Sequence, residues 1–408
     1  MPELVTSQLQ AIEGGVTAPR GFSAAGVACG IKASGKPDLA LIVADVRASA
    51  AAIFTTNQAQ AAPLLVCREH IERTAGRARA IVTNSGCANA CTGARGMADA
   101  RDMAQWAADA VGCPVEEVLV ASTGVIGVHL AMDAVGRGIA AAREALSAAG
   151  GAHAALAIMT TDPFPKACAA SVTTDAGTFR VGGMAKGSGM IEPRMATMLG
   201  YLTTDAHIDP VRLRQALVEA CRDTFNAITV DGESSTNDSV FALASGTSGV
   251  SIDSALYPAL VEGFRFVAKE LALDIVRGGE GATKVVAITV TGARTWTDAS
   301  TAARVIANSP LVKTALHGAD PNWGRLVAAA GRSGVPFSVD HASVRIGEVL
   351  LFDNGQPHDD RAALAAEYLQ GSDLTIEVDL GTGGPSRATI YTCDLSAEYV
   401  RINAEYRT

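Results

Sequence analysis

The run from Val181 to Asp205, VGGMAKGSGMIEPRMATMLGYLTTD, brings together residue types suited to covalent chemistry. Gly187 and Gly189 permit backbone shapes with positive φ, and Pro193 fixes one φ angle, so a bent chain leads into a more apolar stretch from Met195. Such a bend can present the Ala196 carbonyl to the hydroxyl of Thr197. Attack by Oγ and hydrolysis of the resulting ester would free a new α-amino group on Thr197. An α-amine titrates near ~7.7 to 8, so at neutral pH part of it is neutral and able to take the threonine proton. The nucleophile would then carry its own base. An Ala-Thr pair after a glycine-rich loop is also what an ordinary turn entering a strand looks like, and these residues alone leave both readings open.

Other routes to chemistry are poorer. The seven histidines are spread singly, without an HExxH pair, which argues against metal or histidine-based catalysis. Of eight cysteines only Cys87 and Cys91 are close, and no second Cys or His pair accompanies them, so buried reduced thiols are expected and a zinc site is not. The GSG at Gly187 to Gly189 lacks the Lys-Ser/Thr ending of a phosphate-binding loop, so no nucleotide site is expected. Asp320 to Arg325, DPNWGR, reads as a turn with packing roles, with Arg325 available to a carboxylate. A net charge of -9 without a Lys/Arg cluster argues against nucleic acid as partner and leaves small polar substrates as the better fit.

The elements that must position these groups alternate along the chain. Leu39 to Val46, Ala80 to Thr83 and Val118 to Ala121 read as buried strands, and Met97 to Val111 and Met132 to Ala148 as alanine-rich amphipathic helices. Asp209 to Phe225 begins with Asp-Pro, a good helix start, and Tyr257 to Leu273 is a further helix. Lys284 to Thr291, Leu374 to Leu380 and Ala388 to Asp394 alternate as strands. The expectation is a mixed α/β protein with substantial antiparallel content. Its 408 residues are enough for two or three folding units at ~150 residues each. Met1 to Gln10 lacks the basic flank and apolar run of a signal peptide, and no stretch reaches the ~20 apolar residues of a membrane span, so a cytoplasmic protein is expected.

GSGMIEPRMATMLGYLTTDA resembles the autoprocessing segment of the ornithine acetyltransferase family, the bifunctional glutamate N-acetyltransferases of arginine biosynthesis. The resemblance extends through GGVTAPRGFSAAGVACGIK, NSGCANACTG, ASTGVIG, TTDPFPK, VDGESSTND, GGEGATK, HGADPNWGR and the terminal RINAEYRT, in family order along almost the whole chain. It implies cleavage between Ala196 and Thr197, an α chain of residues 1–196, and a β chain of residues 197–408 opening with the nucleophile. It implies that Thr123 and Gly124 form an oxyanion hole, a sensible pairing because a hydroxyl and a backbone N–H can aim at one developing O⁻. Substrate contacts are implied for Thr160, Lys186, Thr197, Glu280, Asn403 and Thr408, the last two only if the C-terminal tail docks over the site. The implied reaction moves an acetyl group from N-acetylornithine to glutamate through an acetyl-threonine, with no cofactor or metal, and with acetyl-CoA as a second donor in some members. The implied fold is two-lobed and layered α-β-β-α, with the chains paired again as α2β2. A hydrolytic amidase or aminopeptidase with the same threonine chemistry would instead give the acyl group to water.

Overall fold

The computed structural model describes residues 7–192 and 198–405. Its first nine strands are β1 (Gln8–Ile12), β2 (Phe22–Val27), β3 (Leu39–Phe54), β4 (Arg77–Cys87), β5 (Val118–Val125), β6 (Lys166–Thr174), β7 (Gly177–Lys186), β8 (Leu199–Thr204) and β9 (Ser239–Ala244). They form one sheet in the order β1-β6-β7-β8-β9-β3-β4-β5, with β2 also on β3. The pairs β4–β5 and β8–β9 are parallel and the others antiparallel.

The long strand β3 is the hinge of this sheet. Its first half pairs with β2 and β4, its register breaks between Val43 and Ala48, and its second half pairs with β9. A bulge of this kind bends a strand and increases its twist. The two halves of the sheet therefore face each other: Tyr201 on β8 hydrogen-bonds Thr83 on β4 at 2.8 Å, although two strands lie between them in the sheet order. Strands with apolar residues at consecutive positions, such as LALIVA in β3, are what burial on both faces demands.

Helices cover both outer faces. The helices α1 (Ala62–Arg73), α2 (Gly93–Val111) and α3 (Met132–Glu144) pack on the β2 to β5 half, with α4 (Gly151–Ala157) against β2 and β3. On the other half, α5 (Pro210–Arg222) packs on the second part of β3 and α6 (Tyr257–Arg277) on β6 and β7. This gives the expected α-β-β-α layering, built by folding one sheet over. The α5 start follows from sequence, with Asp209 capping the Arg212 N–H at 3.0 Å and Pro210 in the first turn.

Residues from 285 onward form the second lobe. Its strands β10 (Val285–Ala293), β11 (Ser343–Ile346), β12 (Val349–Asp353), β13 (Gln356–Pro357), β14 (Asp373–Asp379) and β15 (Ser386–Cys393) are ordered β13-β12-β11-β14-β10-β15. The helices α7 (Trp296–Ala307), α8 (Pro310–His317), α9 (Trp323–Gly331) and α10 (Ala362–Tyr368) accompany them, and α11 (Ala397–Glu405) ends the described chain. A separate apolar core, centred on Val286, Ile288, Val290, Ile306 and Ile376, serves this lobe. The lobes meet where Ile228 bridges to Tyr391 and where α6 touches β10 and β15.

Several boundaries differ from the sequence expectation. The strand expected to end at Val46 runs on to Phe54 through ASAAAIF, whose alanines carry little strand signal. The helix expected to reach Ala148 stops at Glu144, because Ser147 leaves it to bridge Ala24. Val181 to Asp205, which fitted neither period, contains the end of β7 and all of β8, and every residue of β8 is buried, so no alternation shows. Arg325 is not among the residues that line the candidate site, and one of its guanidinium nitrogens donates to the Leu311 carbonyl at 2.8 Å. The expected packing role of that turn is present in Trp323, stacked on Phe352 with ring centroids 4.9 Å apart.

Candidate active site

Thr123 and Gly124 sit at the carboxyl end of β5, the usual place for chemistry in parallel strands. Gly124 has φ +128, and a Cβ there would lie 2.4 Å from the Gly86 carbonyl carbon, so only glycine lets β5 approach the irregular end of β4. Asn84 donates to the Cys87 carbonyl and accepts from Ser122 Oγ at 2.6 Å, while Asn237 donates to the carbonyls of Ala88 and Ser122. NSGCAN and VDGESSTND thus hold the backbone on either side of Thr123.

Lys186 closes β7. It is 9% exposed, which excludes an ordinary solvated loop lysine, and its Nζ donates to Thr123 Oγ1 at 3.3 Å. Burial lowers its pKa, against the pull of Asp162, Asp238 and Glu280. Asp162 is the anchor beneath it. One carboxylate oxygen accepts Lys166 Nζ at 2.6 Å and the Gly187 N–H at 2.7 Å, and the other accepts the Thr160 N–H at 3.0 Å. Burial alone would raise the Asp162 pKa, but Lys186, Lys166 and the Gly187 N–H outweigh it and hold it down at about 2.

Beyond Lys186 the chain turns through Gly187 to Glu192. Met190 takes φ +57, an unfavourable region for a long side chain, and Asp231 holds it there by accepting the N–H groups of Met190 at 2.7 Å and Ile191 at 2.9 Å. Glu192 pairs with Arg304 at 3.1 Å. Gly189 leaves room for Glu280, whose carboxylate oxygen would lie 2.3 Å from a Cβ at that position. Downstream, the Met198 carbonyl accepts the Ser239 N–H and starts the β8–β9 ladder.

These parts enclose one cavity of about 140 Å³. Its lining includes Thr123, Gly124, Thr160, Lys186, Glu280 and Asn403, every site residue expected from sequence that lies within the described residues. Ala196, Thr197 and Thr408 lie outside them. The described part of the C-terminal segment meets the site, with Asn403 Nδ2 donating to Glu280 Oε2 at 2.8 Å and Tyr399 OH to Asp231 at 3.3 Å. Below it, Asp394 accepts Thr283 N–H, Thr283 Oγ1 and Lys284 N–H and pairs with His317, fixing the loop that carries Glu280.

Sequence reasoning did not single out Asp162, Asp231, Asn237, Asp238 or Tyr399. All but Tyr399 lie in the TTDPFPK and VDGESSTND runs, where an acid beside small polar residues was the available signal. Among the described residues no group of three metal-binding side chains occurs, and no helix is long and apolar enough to cross a membrane.

Comparison with known proteins finds relatives along nearly the whole chain. The arginine biosynthesis bifunctional protein ArgJ of Symbiobacterium thermophilum is 48% identical over 402 residues, covering 97% of this chain and 99% of its own. The protein of that name from Synechocystis is 46% identical over 411 residues, covering 98% and 99%. The crystal structure of ornithine acetyltransferase from Mycobacterium tuberculosis, complexed with ornithine, is 44% identical over 47% of this chain and all of that chain, with a TM-score of 0.43. The ArgJ family profile matches residues 23–408, and on that match and those near-complete alignments the chain belongs to the ArgJ family.

Proposed function

We propose that this chain cleaves itself between Ala196 and Thr197 and uses the freed Thr197 to carry an acetyl group from N-acetylornithine to glutamate. The chain is an acetyltransferase of arginine biosynthesis, the pathway that its relatives' names give. The observation that carries the reading is convergence: Thr123, Gly124, Thr160, Lys186, Glu280 and Asn403 line one cavity, and Met198, the residue after the nucleophile, lines it too.

Thr197 Oγ attacks the acetyl carbonyl as its proton passes to the residue's own α-amine. The carbonyl electrons move onto oxygen, which the Thr123 hydroxyl and the Gly124 N–H receive. Lys186 donates to Thr123 Oγ1, leaving the Thr123 hydroxyl proton free to point at that oxygen and polarising it. Collapse breaks the C–N bond, and ornithine leaves with the proton from the ammonium. Glutamate then enters the same cavity and takes the acetyl group by the reverse sequence. Thr160 and Lys186 bind polar groups of the amino acid. Glu280 meets the cationic end of ornithine, with Asn403 and Thr408 closing the tail over it. The word bifunctional in the relatives' names fits acetyl-CoA as a second acetyl donor. Residues 1–196 and 197–408 form the α and β chains of an α2β2 assembly in the cytoplasm.

Thr197→Ala is expected to remain a single 408-residue chain and to lose transfer activity. Two fragments of that variant on a denaturing gel would refute the cleavage assignment. Labelled acetyl recovered as free acetate instead of on glutamate would make the enzyme a hydrolase.

A further inference from the structure

We infer that the Tyr399 hydroxyl receives the side-chain carboxylate of glutamate, and so lets a cavity built around Glu280 take an anionic amino acid as well as a cationic one. The inference rests on the proposed acetyl exchange and goes beyond it by naming what meets the acceptor.

The exchange sets an electrostatic problem. Both amino acids must bring the same α-nitrogen to one reacting carbonyl, so their side chains enter the cavity along one path. The ammonium nitrogen of ornithine and the carboxylate oxygens of glutamate are each four bonds from the α-carbon, and opposite charges therefore reach one place. Glu280, 6% exposed, suits the ammonium and repels the carboxylate. A fixed cation would cure that repulsion only by repelling ornithine. The fitting group is a neutral hydrogen-bond donor able to turn away when it is not needed.

Tyr399 is that group. It stands in α11 and lines the cavity with Glu280 and Asn403. Its backbone nitrogen would lie 2.5 Å from a Cβ at Gly281, so α11 is seated directly on the turn after Glu280. Asn403 is already committed, because its Nδ2 donates to Glu280 Oε2 at 2.8 Å and to the Tyr399 carbonyl at 3.0 Å. Lys186 is engaged with Thr123 Oγ1, at the oxyanion end of the cavity. The Tyr399 hydroxyl is held more loosely, donating to Asp231 Oδ2 at 3.3 Å, where a bond between two oxygens is usually about 2.7–2.8 Å.

Asp231 does not depend on that hydroxyl. Its carboxylate also accepts the N–H groups of Met190 at 2.7 Å, Ile191 at 2.9 Å and Glu233 at 3.2 Å. The hydroxyl proton can therefore turn about the C–O bond from Asp231 to an arriving carboxylate without leaving a buried acid unpartnered. Burial and the neighbouring Asp231, Glu280 and Glu233 push the Tyr399 pKa upward, so the phenol keeps the proton it donates. With ornithine bound, the same proton stays on Asp231 and Glu280 meets the ammonium.

The test is Tyr399→Phe in the full chain, compared with wild type for acetyl capture from N-acetylornithine and from N-acetylglutamate, the second being the transfer run in reverse. Intact-mass measurement after rapid mixing follows the gain of an acetyl group by the 197–408 fragment as the concentration of each is varied. The variant lacks only the hydroxyl and is expected to fold and split. Its half-saturating concentration for N-acetylglutamate is expected to rise by about tenfold or more relative to that for N-acetylornithine, the usual loss when a charged group forfeits one hydrogen bond. A structural role in seating α11 or the Met190 turn would weaken capture from both alike. That result, an unmoved ratio, or a shift against N-acetylornithine would each overturn the assignment. If the variant does not fold, 3-fluorotyrosine at position 399 of the otherwise wild-type chain gives the answer: its 19F resonance is expected to move on titration with glutamate and much less with ornithine, and equal movement or none is a refutation. Wild-type enzyme that takes no acetyl group from N-acetylornithine would sink the proposed function itself, a separate result.

Discussion

Removing Lys166 alone is expected to be among the most damaging single changes near the site, and removing Asp162 with it much less so. Both side chains are fully buried and their charges meet at 2.6 Å. Breaking such a pair from one side leaves an uncompensated charge in the interior and costs about 3–5 kcal/mol, while replacing both partners with neutral residues of similar size is close to neutral. Asp162 still has the Gly187 and Thr160 N–H groups and nearby Lys186 when Lys166 is lost, which places Lys166→Met toward the lower end, at about 3 kcal/mol. Asp162→Asn strands Lys166, whose remaining acceptor is the Phe164 carbonyl at 3.4 Å, and belongs toward the upper end, at about 5 kcal/mol. The cycle is best measured by urea unfolding in the Thr197→Ala background, which on the proposed chemistry stays one chain and so has a well-defined transition. A coupling energy of at least about 2 kcal/mol is expected. Single variants within about 0.5 kcal/mol of the parent, or effects that simply add, would refute the view that Asp162 and Lys166 form the charged foundation of the site.

Three further outcomes follow from the geometry. Because the Asp162 pKa is depressed from 3.8 to about 2, its contribution to stability is complete above 3.8 and is lost as pH falls toward 2, so acid unfolding of Asp162→Asn/Lys166→Met should flatten across that window relative to wild type. Gly124→Ala puts a methyl within 2.4 Å of backbone and should abolish acetyl transfer, measured on purified protein, with a loss of stability of about 2 kcal/mol or more; full activity would show that β4 can retreat. Truncation before Ala397 removes α11, which buries none of its own described residues, so the melting temperature should barely change while KM for N-acetylornithine rises; an unchanged KM would deny the tail a place in the site.

The α/β alternation, the Asp-Pro start of α5 and the clean strands of the second lobe could be read from sequence because their apolar periods differ and their ends carry turn residues. What could not be read was the bent sheet. A strand buried on both faces shows no alternation, and alanine-rich stretches such as Ala48 to Ala52 carry no strong strand signal, so neither the length of β3 nor the identity of β8 was apparent. The site divides in the same way. Thr123, Gly124, Lys186 and Glu280 were reached through motif resemblance, whereas Asp162 and Asn237 act through buried partners far away in sequence, such as the Gly187 N–H held by Asp162 at 2.7 Å and the Ala88 carbonyl held by Asn237 at 2.6 Å, and such partnerships exist only once the chain is folded.

The strand order carries a last consequence. In β1-β6-β7-β8-β9-β3-β4-β5, the two strands that follow residue 197 are wedged in the middle, hydrogen-bonded to β7 on one side and β3 on the other. Neither half of a severed chain could complete that sheet by itself. A gene divided at this point should yield two insoluble products when the halves are made apart, and the two pieces of a mature molecule should part company only in denaturant, because exchanging one means dismantling the sheet from its centre.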